Sequence, residues 1–142
     1  MKVREILRQK GSAVVSVPPT ATVLDALKVM AEKNIGGVLV MDGEKVLGIF
    51  TERDYARKIV LKGKTSAESR ISEVMVTELV TVTPDHDTSD CMKLMTTNAI
   101  RHLPVMENGK LVGLISIGDV VKAVIDEQQS TIQHLEQYIA GS

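Results

Sequence analysis

The sequence predicts an α/β (α+β) protein of two β-α-β-β-α repeats packed about a pseudo-two-fold axis, with a long C-terminal helix. Three observations lead there: a self-match at an offset of 65 residues, one order of helical and strand periods in both copies, and a helical stripe running past the second copy. The offset places Val17, Pro19, Asp25, Lys28, Met30, Ile35, Val40, Gly48 and Asp54 on Val82, Pro84, Asp90, Lys93, Met95, Ile100, Val105, Gly113 and Asp119 without a gap. Two copies are too few for a solenoid, so each must cover the other, and sites should come in pairs.

The elements follow in chain order. Val3 to Leu7 predict a short lead-in helix, matched by Ile71 to Met75 before the second copy. Apolar stretches at about 14–17 and 79–82 predict a short opening strand in each. After the cap-like Thr20 and Thr22, the spacing of Val23, Leu24, Ala26, Leu27 and Met30 predicts a helix over 22–33, repeated over 87–97. Val38 to Met41 and Val46 to Phe50 read as a hairpin around Gly43, and Leu103 to Met106 and Leu111 to Ile115 as a second around Asn108-Gly109. A further helical stretch closes each copy. The boundaries expected are 1–62 for repeat 1 with its lead-in helix, 63–70 for a polar linker, 71–125 for repeat 2, and 126–142 for a helical extension.

That extension carries Val121, Val124, Ile125, Gln128, Ile132, Leu135 and Ile139 at spacings of three and four, closed by Gly141. Such a stripe needs cover, and a homodimer is the expectation it sets. At 142 residues the chain buries a core without a metal or disulfide staple, and Cys91 has no partner for an internal bridge. A net charge of -1 and 2% aromatic residues argue against a nucleic-acid partner. No apolar run approaches the roughly 20 residues of a membrane span, and the charged start lacks a leader's apolar segment, so a cytoplasmic location is expected.

After each hairpin stands a repeated motif, Gly48-Ile49-Phe50-Thr51-Glu52-Arg53-Asp54 and Gly113-Leu114-Ile115-Ser116-Ile117-Gly118-Asp119. A hydroxyl followed three residues on by a carboxylate is a capping box, which accounts for the spacing without a ligand. The recurrence of Gly48 and Gly113 three residues earlier points instead to binding, and the two readings are compatible. With Ile100-Arg101-His102-Leu103-Pro104-Val105, this duplicated pattern resembles the CBS (cystathionine β-synthase-type) domain pair, or Bateman module, over nearly the whole chain.

The resemblance implies two clefts that bind AMP, ADP, ATP or NAD(H), in an energy- or redox-sensing regulatory module that signals through its shape, its oligomeric state or its hold on a client protein. Asp54 and Asp119 would accept the ribose hydroxyls. Thr51 and Ser116 would meet phosphate or ribose at a helix start, where free backbone N–H groups favour anions. It also implies that Val15, Ser16, Ile35 and Gly36 join Ser116 and Asp119, while Val80, Thr81 and Ile100 join Thr51 and Asp54. Arg101 and His102 would contact phosphate; Gly36-Gly37 stands at the matching place in the first copy, where Arg53 compensates in part. The sites should therefore differ in affinity or ligand.

Nothing in the sequence supplies chemistry. There is no P-loop, nucleophile elbow or cysteine pair, so neither catalysis nor a catalytic cofactor is expected. His86, between Asp85 and Asp87, matches no established metal spacing and reads as a polar turn. Cys91 takes the place of Ala26 as a small core residue, and Met30, Met41, Met95 and Met106 read as core fillers. The alternative function is a structural interaction module without a ligand.

Overall fold

Two equivalent helices begin on reciprocal caps. The Thr22 backbone N–H donates to Asp25 Oδ2 at 3.0 Å and Asp25 N–H returns to Thr22 Oγ1 at 3.1 Å. Asp87 and Asp90 repeat the exchange, with both bonds at 3.1 Å. These boxes satisfy two otherwise orphaned donors at each start and fix where helices α2 (Val23–Lys33) and α5 (Thr88–Asn98) begin. Both helices stop at a left-handed residue, Asn34 or Ala99.

The computed structural model describes residues 1–141; Ser142, the last residue of the predicted extension, lies outside the described residues. Along the chain, α1 (Val3–Lys10) precedes β1 (Ser16–Val17), α2, β2 (Gly37–Asp42), β3 (Lys45–Thr51) and α3 (Glu52–Asp54), which passes into a π-helical turn over Tyr55–Val60. Then come α4 (Ile71–Val74), α5, β4 (His102–Glu107), β5 (Lys110–Ser116) and α6 (Ile117–Gly141). The mixed α/β repeat and the long terminal helix are as expected. Strand β2 pairs with β1 in parallel and with β3 in antiparallel fashion, and β4 with β5 forms a second sheet. Positive φ at Gly43, Asn108 and Gly109 supplies the tight hairpin turns.

The opening strand is shorter in the second copy, a single parallel bridge between Val82 and Val105. In the first copy Leu39 N–H donates to the Val15 carbonyl at 3.4 Å. Pro104 stands at the position of Leu39 and has no N–H to give Val80, which removes that rung.

The chain divides into two units. One, here the Asp54 unit, spans Ala13–Leu79 with Gly109–Leu111; the other, the Asp119 unit, joins Met1–Ser12 to Val80–Asn108 and to Val112 onward. These units follow packing and not chain order, because the lead-in helices exchange places between the repeats. In the Asp119 unit Val3 N–H donates to the His86 carbonyl at 2.8 Å and Thr88 N–H to the Met1 carbonyl at 2.9 Å. In the Asp54 unit the equivalent bonds run from Ile71 N–H to Ala21 and from Val23 N–H to Ser69, both at 2.9 Å. An antiparallel bridge between Lys2 and Asp87 holds the leader of α1 against the start of α5.

Each unit has its own core. Val23, Ala26, Met30, Val38, Val40 and Phe50 pack with Ile71 and Val74 of α4 in one. Val3 and Ile6 of α1 pack with Val82, Cys91, Met95, Leu103, Val105 and Ile115 in the other. Cys91 replaces Ala26 as a fully buried residue, and burial first, then nearby Asp90 and Asp87, pushes its thiol up to about 11. Met30 and Met95 fill the cores, whereas Met41 and Met106 are only half-buried.

Candidate functional site

Both candidate carboxylates stand where a hairpin strand turns into a helix. In the Asp54 unit, β3 ends at Thr51 opposite Gly37 of β2, and Glu52 N–H donates to the Gly36 carbonyl at 3.1 Å. In the Asp119 unit, Ile117 N–H donates to the Arg101 carbonyl at 2.8 Å. The residue that leads into the first hairpin strand is thereby tied beside the hydroxyl–carboxylate pair, in the same way in both units.

The pairs themselves differ in accessibility and in charge partner. Asp54 is buried, and its Oδ2 accepts from Thr51 N–H at 3.0 Å and Thr51 Oγ1 at 3.2 Å, while Oδ1 faces Lys58 Nζ at 3.3 Å. Lys58 also donates to the Val74 carbonyl at 2.8 Å. Asp119 is half-buried, and three donors converge on its Oδ2: Ser116 N–H at 2.8 Å, Ser116 Oγ at 3.1 Å and Lys10 Nζ at 2.7 Å. Its Oδ1 takes no hydrogen bond among the described residues, so it keeps acceptor capacity. Burial is the largest single influence on Asp119 and disfavours its charge, yet the bonds from Lys10 and Ser116 together outweigh it and hold the carboxyl below its ordinary value.

Lys10 and Lys58 are the functional-site neighbours that the sequence reading missed. Lys58 was visible in principle, four residues after Asp54 on a helical stretch. Lys10 lies 109 residues from Asp119 and becomes its partner only because α1 docks in the second repeat's unit.

Gly48 and Gly113 have a packing explanation. A Cβ on Gly48 would lie 2.8 Å from both Met75 Sδ and the Val76 carbonyl oxygen, because Val76 pairs with Ile49 as an extra edge rung. A Cβ on Gly113 would lie 2.6 Å from Leu7 Cδ2. The recurrent glycine therefore admits the lead-in segment, and its recurrence no longer argues for a ligand. The anion reading at the helix start also narrows. The amides of Thr51 and Ser116 are held by the carboxylates, and those of Glu52 and Ile117 by strand-leading carbonyls.

The remaining candidates divide between the units. Val15, Ser16, Ile35, Gly36, Thr51, Arg53 and Asp54 lie in one, and Val80, Thr81, Ile100, Arg101, His102, Ser116 and Asp119 in the other. Val15, Ile35, Gly36, Val80, Ile100 and His102 are half-buried, while Ser16, Arg53, Thr81 and Arg101 are exposed. Leu27, Met30, Ala31, Asn34, Ile35, Gly36 and Glu52 line an open, largely apolar cleft of about 350 Å³ on the Asp54 unit. Glu52, rather than Asp54, is its carboxylate. His86 serves its turn, with Nδ1 accepting from Thr83 N–H at 2.9 Å.

The model of the CBS domain matches residues 3–61 and 71–126, two repeats that together take in most of the chain. The chain belongs to the CBS-domain family. It is 45% identical over 125 residues to the mitochondrial CBS domain-containing protein CBSX3 of Arabidopsis thaliana, covering 84% of this chain and 61% of that protein, so it spans less than two thirds of that relative. Among solved structures, a CBS-domain protein of Burkholderia ambifaria MC40-6 superposes with a TM-score of 0.86 at 48% identity, covering 90% of this chain and 96% of that one. The hexameric CBS-CP12 protein of bloom-forming cyanobacteria aligns with a TM-score of 0.73 at 31% identity, covering 85% of this chain and 69% of that one. The CBS pair is a module known for regulatory ligand binding. No helix among the described residues is long and apolar enough to cross a membrane.

Proposed function

We propose that this CBS pair is a non-catalytic sensor of adenine nucleotides, AMP, ADP, ATP or NAD(H), which signals through its conformation or its association as a homodimer. The observation that carries this reading is the matching hydroxyl–carboxylate pair at the strand-to-helix junction of both units, each tied to the segment that leads into the hairpin. A carboxylate with an open acceptor oxygen suits the two adjacent hydroxyls of a ribose. Asp119 keeps such an oxygen and is half-buried, with Arg101 and His102 in its own unit to meet phosphate; Asp54 is buried and both its oxygens are engaged. Asp119 is therefore assigned the tighter ligand contact. The proposed setting is cytoplasmic, with a client protein receiving the signal.

A second reading, an interaction module without a ligand, has its own support: Gly48 and Gly113 serve packing, and the capping boxes are complete without a nucleotide. Thermal shift separates the two. Protein freed of co-purified nucleotide is melted with AMP, ADP, ATP, NAD and NADH, with GTP as the control, in wild type, Asp54→Ala and Asp119→Ala. At a hundredfold excess over Kd, a ligand of the folded state stabilises by about 2.7 kcal/mol and raises the midpoint by several degrees. The sensor reading expects adenine ligands to raise the wild-type midpoint, with Asp119→Ala removing more of the ligand-induced shift than Asp54→Ala. No shift with any nucleotide establishes the interaction module, and turnover of nucleotide beyond one equivalent would overturn both.

A further inference from the structure

Helix α6 continues well past the body of its own unit. Val120 and Ala123 are buried, but every residue from Gln128 to Gly141 is exposed. That 14-residue stretch has the length at which an isolated helix is marginal in water, so its stability calls for cover from elsewhere. Its surface is also apolar on one side, with Val121, Ile125, Ile132, Leu135, Tyr138 and Ile139 all exposed.

These residues fall on a heptad. Ile125, Ile132 and Ile139 occupy the a positions and Val121, Gln128 and Leu135 the d positions, a seam over about 27 Å of helix at 1.5 Å per residue. A seam that regular fits another helix of the same repeat. The charges select which helix and which direction. Lys122 and Glu136 both lie at e positions beside the seam, both are exposed, and neither makes an ion pair within the chain among the described residues. In an antiparallel pair of identical helices, e faces e and a meets d. Centring the pair near Ser130 sets Ile125 against the partner's Leu135, Ile132 against the partner's Gln128, and Lys122 beside the partner's Glu136. The two-fold axis makes each contact occur twice. In a parallel pair Lys122 and Glu136 would be two heptads apart and unable to meet. The other flanking positions, Val124, Gln129, Thr131 and Tyr138, are uncharged, so no like charges are brought together.

We infer that α6 is the docking surface for a second copy of this chain, forming an antiparallel two-helix seam in which Lys122 of each copy pairs with Glu136 of the other. This deepens only the oligomeric part of the proposed function and stands apart from nucleotide binding. Sedimentation velocity on the full chain without nucleotide, over a wide concentration range, tests it with Ile132→Asp, Lys122→Glu, Glu136→Lys and the doubly exchanged variant. Circular dichroism confirms that each variant is folded, which the exposure of these sites favours. The expected result is a dimer that Ile132→Asp weakens at least a hundredfold and each single charge reversal weakens roughly tenfold, with the double exchange restoring the wild-type Kd. A monomer at every concentration, a dimer indifferent to Ile132→Asp, or single losses that the double exchange leaves uncorrected would each overturn the inference. Because no nucleotide is present, none of these outcomes bears on the ligand reading.

Discussion

Lys10 and Asp119 form a contact that joins the first helix of the chain to the last, and its energetics follow from burial. The carboxylate is only partly screened, and the lysine also donates to the Leu114 carbonyl at 2.8 Å. Since the folded-state pKa of Asp119 is lowered, its contribution to stability is present above the ordinary aspartate value and is lost as pH falls through the depressed folded value. Lys10→Met removes the counter-ion while keeping the stem, and should cost about 1 kcal/mol at neutral pH. The loss relative to wild type should shrink below about pH 4, where Asp119 is protonated in the unfolded chain. Urea titrations of both proteins at neutral and acid pH check this. An equal loss at both would show that Lys10 contributes through its bond to the Leu114 carbonyl and not through the charge of Asp119. The carboxylate in this contact was legible in the sequence from the repeated motif. Its lysine was not, because no local spacing relates residues 109 apart; only the docking of α1 does.

The two glycines before the capping boxes show how one motif residue is retained by neighbours of unequal stiffness. At Gly113 an added methyl meets only the methyl end of Leu7, which another rotamer moves away. At Gly48 it meets the Val76 carbonyl oxygen, and Val76 is fixed by two backbone bonds to Ile49 at 2.8 and 2.9 Å. Gly48→Ala should therefore cost about 3 kcal/mol and Gly113→Ala about 1 kcal/mol, within the range for overpacked sites. Chemical denaturation of the two variants measures the difference, and equal costs would mean that the edge rung at Val76 yields as readily as a side chain. The hairpins, their turns and both major helices could be read from periodicity and caps, since those signals act over a few residues. The packing partner of each glycine could not, and neither could the shortened opening strand of the second copy until Pro104 is placed opposite the residue that needs its missing N–H.

Exchange of the lead-in helices means that chain order and packing order disagree, and folding should obey packing. Val3 is fully buried and Ile6 nearly so, in a cluster with Val82, Cys91 and Met95, while residues 13–79 carry α4 for the equivalent role in their own core. Removing residues 1–12 strips two core side chains, the Lys10 ion pair and the backbone bonds from Val3, Arg4 and Thr88 out of the Asp119 unit. Burying two aliphatic side chains alone is worth about 3–6 kcal/mol, comparable to the stability of a small domain. Hydrogen exchange on the truncated chain should therefore show protection falling in 80–108 and 112–126 while 13–79 retains much of its own. A division by chain order predicts the reverse pattern, with protection lost first across residues 13–62, and observing that pattern would return α1 to the repeat it precedes.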